Sequence, residues 1–164
     1  MPAMDSEEVF EMCRRGLLHP EAYSICRLNI AWEVFGSLTF PRPLRYSRRC
    51  KMFLHLIRSI AALHRLHFSE LRWILRHEQH RSGDPHLHFV LEGLSEPTSP
   101  SINRQIKNEW MRISGGLSHI KAYNSSKNGF VYTMKAPRVT SNSSLWDTST
   151  EVEISHSIQR QFAS

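Results

Sequence analysis

The chain has 164 residues, of which 40% are hydrophobic and 22% charged, a composition that suits one globular domain and leaves little room for a second. Its formal net charge of +6 favours an anionic partner, nucleic acid first, because clustered Lys and Arg side chains release counterions from a phosphate backbone. The three cysteines form no CxxC pair, which argues against a disulfide framework and a structural zinc site. The acidic amino terminus and the lack of a long apolar run predict a soluble, intracellular protein without a membrane partner.

The first half of the chain predicts a helical leader, a strand and a long helix. Residues 1–31 form the predicted leader, whose helix begins with acidic residues and which packs on the core. Residues 32–40 are rich in aromatic and β-branched residues and stop at a proline, which predicts a strand with Ser37 and Thr39 on its polar face. Apolar residues then recur at intervals of three or four over 47–66, the pattern of an amphipathic helix.

The second half predicts a hairpin followed by shorter elements. Two runs that read as strands, 71–78 and 86–92, are joined by turn-forming residues and predict an antiparallel hairpin. The predicted elements after it are a helix at about 101–113, a strand at 117–123 and one or two helical turns at 130–135 that stop before a proline. The segment 139–164 is polar, and its sequence does not define its structure.

Three side chains of the predicted hairpin have the chemistry of a metal site. Strand alternation puts His86 and His88 on one face, and Glu78 shares that face if the apolar sides of both strands pack on the same helices. Two imidazoles and one carboxylate leave open coordination positions, which suits Mn²⁺ or Mg²⁺ bound together with a phosphate oxygen. Two half-exposed histidines without a metal would give the same local pattern, so the prediction depends on the combination of residues.

Tyr132 and Lys135 are the candidate catalytic pair. They are three residues apart, so on a helical turn both reach the same phosphate. A phenol with a pKa of about 10 is a poor nucleophile at neutral pH, and a metal ion and the lysine would have to stabilise its negative charge or that of the phosphate. A tyrosine that only packs beside a solvated lysine is the plainer interpretation. Tyr123 with Lys127 is the reserve nucleophile.

Three segments resemble, in order and spacing, the motifs of HUH-type Rep endonucleases, the rolling-circle replication initiators of small single-stranded DNA viruses and plasmids. Segment 78–88, Glu-Gln-His-Arg-Ser-Gly-Asp-Pro-His-Leu-His, resembles their metal-binding motif. Segment 37–41, Ser-Leu-Thr-Phe-Pro, resembles their first motif, and segment 132–135, Tyr-Thr-Met-Lys, their Tyr-x-x-Lys motif. The resemblance covers about 32–136, although Ala-Pro after Lys135 departs from many members.

The resemblance implies an α+β fold with a central antiparallel sheet of about five strands, similar to an RRM or palm domain and flanked by α-helices. Residues 32–138 would be the endonuclease core of a single domain, with 1–31 and 139–164 outside the motifs. It also implies a reaction, in which Tyr132 attacks a DNA phosphate, forms a 5′-phosphotyrosine link and frees a 3′-hydroxyl. The reverse reaction rejoins the strand at an origin without a nucleotide cofactor.

Single-stranded DNA is the expected partner. The residues expected to contact it are Ser37, Thr39, Arg72, Arg76 and Lys121. The sequence contains no Gly-x-x-x-x-Gly-Lys-Ser/Thr loop, so a helicase and a polymerase are expected to come from other proteins. The protein is expected in the cytoplasm if it is prokaryotic and in the host nucleus if it comes from a eukaryotic virus. Two alternatives stay open, namely a tyrosine transposase or relaxase-like enzyme and a non-catalytic module that binds single-stranded nucleic acid.

Overall fold

The computed structural model describes residues 4–79, 84–95, 100–136 and 152–162. The helices and strands, in chain order, are α1 (Ser6–Arg14), α2 (Ala22–Cys26), β1 (Val34–Thr39), α3 (Tyr46–Leu63), β2 (Arg72–Gln79), β3 (Pro85–Glu92), α4 (Pro100–Ser114), β4 (Ser118–Ala122), α5 (Gly129–Thr133), β5 (Val152–Ile154) and α6 (His156–Phe162). The predicted hairpin turn lies mostly outside the described residues, as does the first part of the segment 139–164. Across the described ranges, no helix has both the length and the apolar character needed to cross a bilayer.

The predicted α+β fold is confirmed. The five strands form one sheet in the order β4-β1-β3-β2-β5, and every pair of neighbours is antiparallel. The strand predictions at 32–40, 71–78, 86–92 and 117–123 fall on β1 to β4. The fifth strand, β5, lies in the polar carboxyl-terminal segment and pairs with the outer edge of β2.

One face of the sheet is covered by α3 and α4. The buried positions of α3 include Phe53, Ile57 and Ile60, spaced as the amphipathic pattern predicted. They pack in one core with alternate residues of the central strands, among them Leu75 and Phe89. This face is apolar along most of its length because strand alternation sends these side chains to the same side.

The other face has a second core that the strand pattern did not predict. Ile74 of β2 and Val90 of β3 are fully buried there, among residues of α1, α2, α5 and α6. The face opposite the main core is therefore apolar at its centre, with Arg76, Glu78, His86 and His88 towards the β2–β3 turn and the Arg72–Glu92 pair at the other end. The leader contributes Val9, Ala22 and Ile25 to this second core, so it is packed on the sheet.

The helical turns predicted at 130–135 end earlier than expected. Helix α5 stops at Thr133, and Lys135 forms an isolated antiparallel bridge with Leu18 of the leader. The His19 amide donates to the Met134 carbonyl at 2.7 Å, and the Ala136 amide donates to the Leu17 carbonyl at 3.0 Å. The chain after α5 leaves the helix because its backbone pairs with the leader.

Candidate active site

The three predicted metal ligands lie on neighbouring central strands. In the antiparallel register, Glu78 of β2 is opposite His86 of β3, and Arg76 is opposite His88. On the other side of β3, Ser37 of β1 is opposite His88. Directly opposite residues and residues two apart on a strand share a face, so all five side chains project from the same side of the sheet.

Both imidazoles approach one oxygen atom of Glu78. The Nε2 atom of His86 lies 3.1 Å from Glu78 Oε2, and Nε2 of His88 lies 2.9 Å from the same atom. The candidate ligand atoms of the three residues all lie within 4.8 Å of one another. These contacts hold the pKa of the Glu78 carboxyl well below its usual range, so this group is a carboxylate at neutral pH.

His88 is oriented by a bond to its other ring nitrogen. Its Nδ1 atom lies 2.9 Å from the hydroxyl of Ser37. Its Nε2 atom is buried and close to Glu78 Oε2. Burial lowers the pKa of His88, which favours the neutral imidazole that metal coordination requires.

Tyr132 of α5 reaches the same carboxylate. Its hydroxyl donates to Glu78 Oε2 at 3.1 Å, and its ring meets the His88 ring edge to face with the centroids 4.9 Å apart. Burial, followed by the negative charge of Glu78, raises the pKa of Tyr132. The phenol is therefore protonated at neutral pH and needs added positive charge to become a nucleophile.

Lys135 lies against the phenol although it is not on the helix. Its Nζ atom is 4.9 Å from the centroid of the Tyr132 ring, within the range of a cation–π contact. The predicted pair is brought together just after α5, where the Lys135 amide donates to the Tyr132 carbonyl at 3.4 Å and Lys135 also bridges to Leu18.

Arg76 links the carboxylate to the backbone after α5. It is 5% exposed, its guanidinium donates to the Lys135 carbonyl, and its Nη2 atom lies 3.8 Å from Glu78 Oε1. We infer from these contacts that Arg76 positions Glu78 and the tyrosine segment. The sequence did not indicate this role because an arginine in a basic chain is first interpreted as a phosphate ligand.

The other residues predicted to contact DNA have different surroundings. Arg72 forms two bonds to Glu92, at 2.6 and 2.8 Å, so its guanidinium is already paired. The Thr39 hydroxyl bonds the Leu117 backbone. Lys121 is exposed, with Nζ 5.3 Å from the Phe35 ring centroid. DNA contact by these residues stays a prediction.

A cavity of about 390 Å³ adjoins the tyrosine. Its lining is basic and aromatic, and includes Phe35, His88, Lys121, Tyr123, Lys127 and Tyr132. Cationic and aromatic groups together suit the phosphates and bases of a single strand. The reserve nucleophile Tyr123 has its hydroxyl 3.2 Å from the Phe130 amide, which donates to it at the start of α5.

No protein-family model, curated protein or solved structure matches the chain. The nature of the site is therefore judged on its donor set. Two imidazole nitrogens and a carboxylate oxygen fit a divalent ion, and the Ser37 contact fits the hydrogen bond that a ligating histidine makes through its second nitrogen.

Proposed function

We propose that this protein is a metal-dependent endonuclease that nicks and rejoins single-stranded DNA through a 5′-phosphotyrosine link on Tyr132. One observation supports the proposal above all. The Tyr132 hydroxyl and the Nε2 atoms of His86 and His88 all lie within 3.1 Å of one carboxylate oxygen of Glu78. A phenol that only packs has no need of this position beside three metal-binding groups.

Glu78, His86 and His88 are the residues that would hold the metal ion. When bound, Mn²⁺ or Mg²⁺ supplies positive charge that polarises the scissile phosphate and favours the phenolate. Histidine ligands favour Mn²⁺ over Mg²⁺, and the carboxylate suits both.

The covalent step uses groups of this chain. A bond forms between Tyr132 Oη and phosphorus as the phenol proton passes to solvent, the bond from phosphorus to the 3′ oxygen breaks, and that oxygen takes up a proton from solvent to become a 3′-hydroxyl. The hydrogen bond to Glu78 orients the Tyr132 hydroxyl before its proton is lost. The ammonium of Lys135, over the phenol ring, stabilises the negative charge that develops there.

The lining of the cavity supports single-stranded DNA as the substrate. The motif order and spacing that resemble the Rep endonucleases favour replication initiation over transposition, with a helicase and a polymerase supplied by other proteins. The leaving 3′-hydroxyl can prime synthesis, and the reverse attack of a 3′-hydroxyl on the phosphotyrosine closes the strand without ATP.

The test is a covalent trap. Labelled single-stranded DNA from a random pool is incubated with the protein and Mn²⁺, and the products are separated under denaturing conditions. We expect a protein–DNA adduct in the wild type that chelator prevents and Tyr132→Phe abolishes. Tyr123→Phe should still form the adduct, and Tyr23→Phe, in helix α2 of the leader, serves as the matched control.

Two results would contradict the proposal. An adduct that persists in Tyr132→Phe would assign the nucleophile elsewhere. Binding of DNA without any adduct, unaffected by chelator and by His86→Ala, would identify a non-catalytic nucleic-acid-binding module.

A further inference from the structure

A second cluster of metal-binding side chains lies on the opposite face of the sheet. It consists of Cys50 on α3, His77 on β2 and Glu153 on β5. His77 precedes Glu78 on the same strand, so strand alternation directs the two side chains to opposite faces. His77 is fully buried, whereas Cys50 and Glu153 are half-buried, which leaves one side of the cluster towards the surface.

The two distances from the Cys50 sulfur match those between donor atoms around a tetrahedral ion. The Sγ atom of Cys50 lies 3.6 Å from Nε2 of His77 and 3.4 Å from Oε1 of Glu153. Zinc bonds of about 2.3 Å to sulfur and about 2.0 Å to nitrogen or oxygen, at tetrahedral angles, separate such donor atoms by about 3.5–3.6 Å. The sulfur is thus already spaced from the other two donors as ligands of one ion are, and the three donor atoms all lie within 4.8 Å of one another.

We propose that Cys50, His77 and Glu153 bind a zinc ion that fastens the carboxyl-terminal strand β5 to α3 and β2. A thiolate with an imidazole and a carboxylate selects zinc over Mn²⁺ and Mg²⁺, which prefer oxygen ligands. The thiolate and the carboxylate together balance the charge of the ion. A fourth, surface-facing position is open to water.

The ion would join parts of the chain that are far apart in sequence. Strand β5 has three residues and pairs only with β2 among the described strands. So short an edge strand gains little from its own backbone bonds. A ligand from α3, one from β2 and one from β5 around one ion would hold this edge in place, because the binding free energy adds to the folding free energy.

The neighbours of the cluster include one orienting group and one cation. The Tyr46 hydroxyl donates to Glu153 Oε1 at 2.5 Å, as outer hydrogen bonds orient ligating carboxylates. The Arg49 Nε atom donates to His77 Nδ1 at 3.3 Å, and its Nη1 atom to the Leu44 carbonyl at 2.6 Å. Zinc binding would release the thiol proton of Cys50 to solvent and place the proton of the His77 imidazole on Nδ1. The contact from Arg49 to His77 would then open, while the shorter bond from Arg49 to the Leu44 carbonyl is kept.

The zinc proposal is independent of the nicking proposal. The candidate active site lies on the other face and contains no cysteine among its three candidate ligands. A thiolate ligand therefore provides a signal that the Glu78 site cannot produce.

Cobalt substitution tests the site. The full chain is stripped of metal with a chelator and titrated with Co²⁺ under anaerobic, reducing conditions. We expect a saturable thiolate-to-cobalt charge-transfer band that is lost in Cys50→Ser and is removed by added Zn²⁺. Cys13→Ser and Cys26→Ser, in the leader helices, should keep the band.

Absence of the band in the wild type, or its persistence in Cys50→Ser, would overturn the zinc proposal and leave a hydrogen-bonded network without an ion. Glu153→Gln gives a second measurement on a variant with nearly unchanged shape. Its zinc affinity, measured against a chromophoric chelator, should fall by at least the roughly 10–100-fold that is typical for loss of an outer partner of a metal ligand. An unchanged affinity would exclude Glu153 as a ligand and overturn the three-residue site.

Nicking by Cys50→Ser with Mn²⁺ should persist, so failure of either proposal is distinguishable from failure of the other.

Discussion

His88 uses its two ring nitrogens for different contacts, and this division explains how one residue on a strand can serve the candidate metal site. Nδ1 faces the Ser37 hydroxyl at 2.9 Å, while Nε2 faces Glu78. A proton on Nδ1, donated to Ser37, leaves the Nε2 lone pair for an ion. Ser37 therefore has a structural reason to lie opposite His88, and its contact with DNA stays a prediction.

Replacing Ser37 by alanine should weaken metal binding more than it weakens chemistry. Without the hydroxyl, neither the tautomer nor the ring orientation of His88 is fixed, and outer-shell losses of this kind typically cost about 10–100-fold in metal affinity or activity. We expect Ser37→Ala to need about tenfold or more Mn²⁺ for half-maximal nicking and to approach the wild-type rate at saturating Mn²⁺. Ser6→Ala, an exposed serine at the start of α1, is the matched control. An unchanged Mn²⁺ requirement would show that Ser37 does not support His88.

The short helix α5 places Tyr132, and a glycine lets it approach the sheet. A Cβ atom at Gly129 would lie 2.9 Å from Cδ2 of Phe35 and 3.0 Å from Cε2 of Tyr123. Both atoms belong to rings whose positions are restricted by packing, so an alanine at this position would push the helix away from β1.

Gly129→Ala should therefore reduce nicking without removing the metal site. A displacement of about 1 Å at a nucleophile costs on the order of 100-fold in rate, whereas Glu78, His86 and His88 are on strands that the helix does not carry. We expect nicking to fall by about 10–100-fold with an unchanged Mn²⁺ affinity. The two quantities are measured on the same preparation, with its melting temperature as the control for folding. Nicking at the wild-type rate would mean that α5 adjusts without moving the phenol.

The sequence predicted the elements in which the spacing of apolar residues shows which face is buried. Strands β1 to β4 and helix α3 follow from apolar spacing because each packs one face on the main core. The second core is different, since Ile74 and Val90 are each the one apolar residue between polar ones on their face of β2 and β3. Their burial depends on α1, α2, α5 and α6, which pack on that face. Strand β5 has three residues, too few for a pattern.

The candidate site likewise has a part that the sequence predicted and a part that it did not. The positions of Glu78, His86 and His88 on one face follow from strand alternation and register, both legible in the hairpin sequence. The bridge between Lys135 and Leu18 joins the tyrosine segment to the leader, and the contacts of Arg76 depend on the chain after α5. No local spacing encodes these two contacts, because each joins residues 59 or more positions apart.

At the scale of the whole molecule, the second core joins the leader and the carboxyl-terminal helix to the segment that carries the tyrosine. Val9 and Ile25 of the leader, Val131 and Met134 near the tyrosine, and Ile158 of α6 are packed together. Residues 32–138 alone would therefore expose this core. The domain that folds includes the leader and the described carboxyl-terminal segment, since both supply its apolar contacts.

Leu17 and Leu18 provide a paired test of this organisation. Leu18 is 2% exposed in the second core, whereas Leu17, its neighbour beside the same bridge, is 43% exposed. Truncation of a buried leucine to alanine costs about 2–5 kcal/mol, because apolar contacts are lost and a cavity remains. An exposed side chain away from other features changes the free energy of unfolding by about 0.5 kcal/mol or less.

We expect Leu18→Ala to lower the denaturant midpoint of the single unfolding transition of the whole protein, and Leu17→Ala to leave it nearly unchanged. Equal effects, or a Leu18→Ala protein that loses only a separate early transition, would mean that the leader is attached to the sheet without being part of its cooperative core.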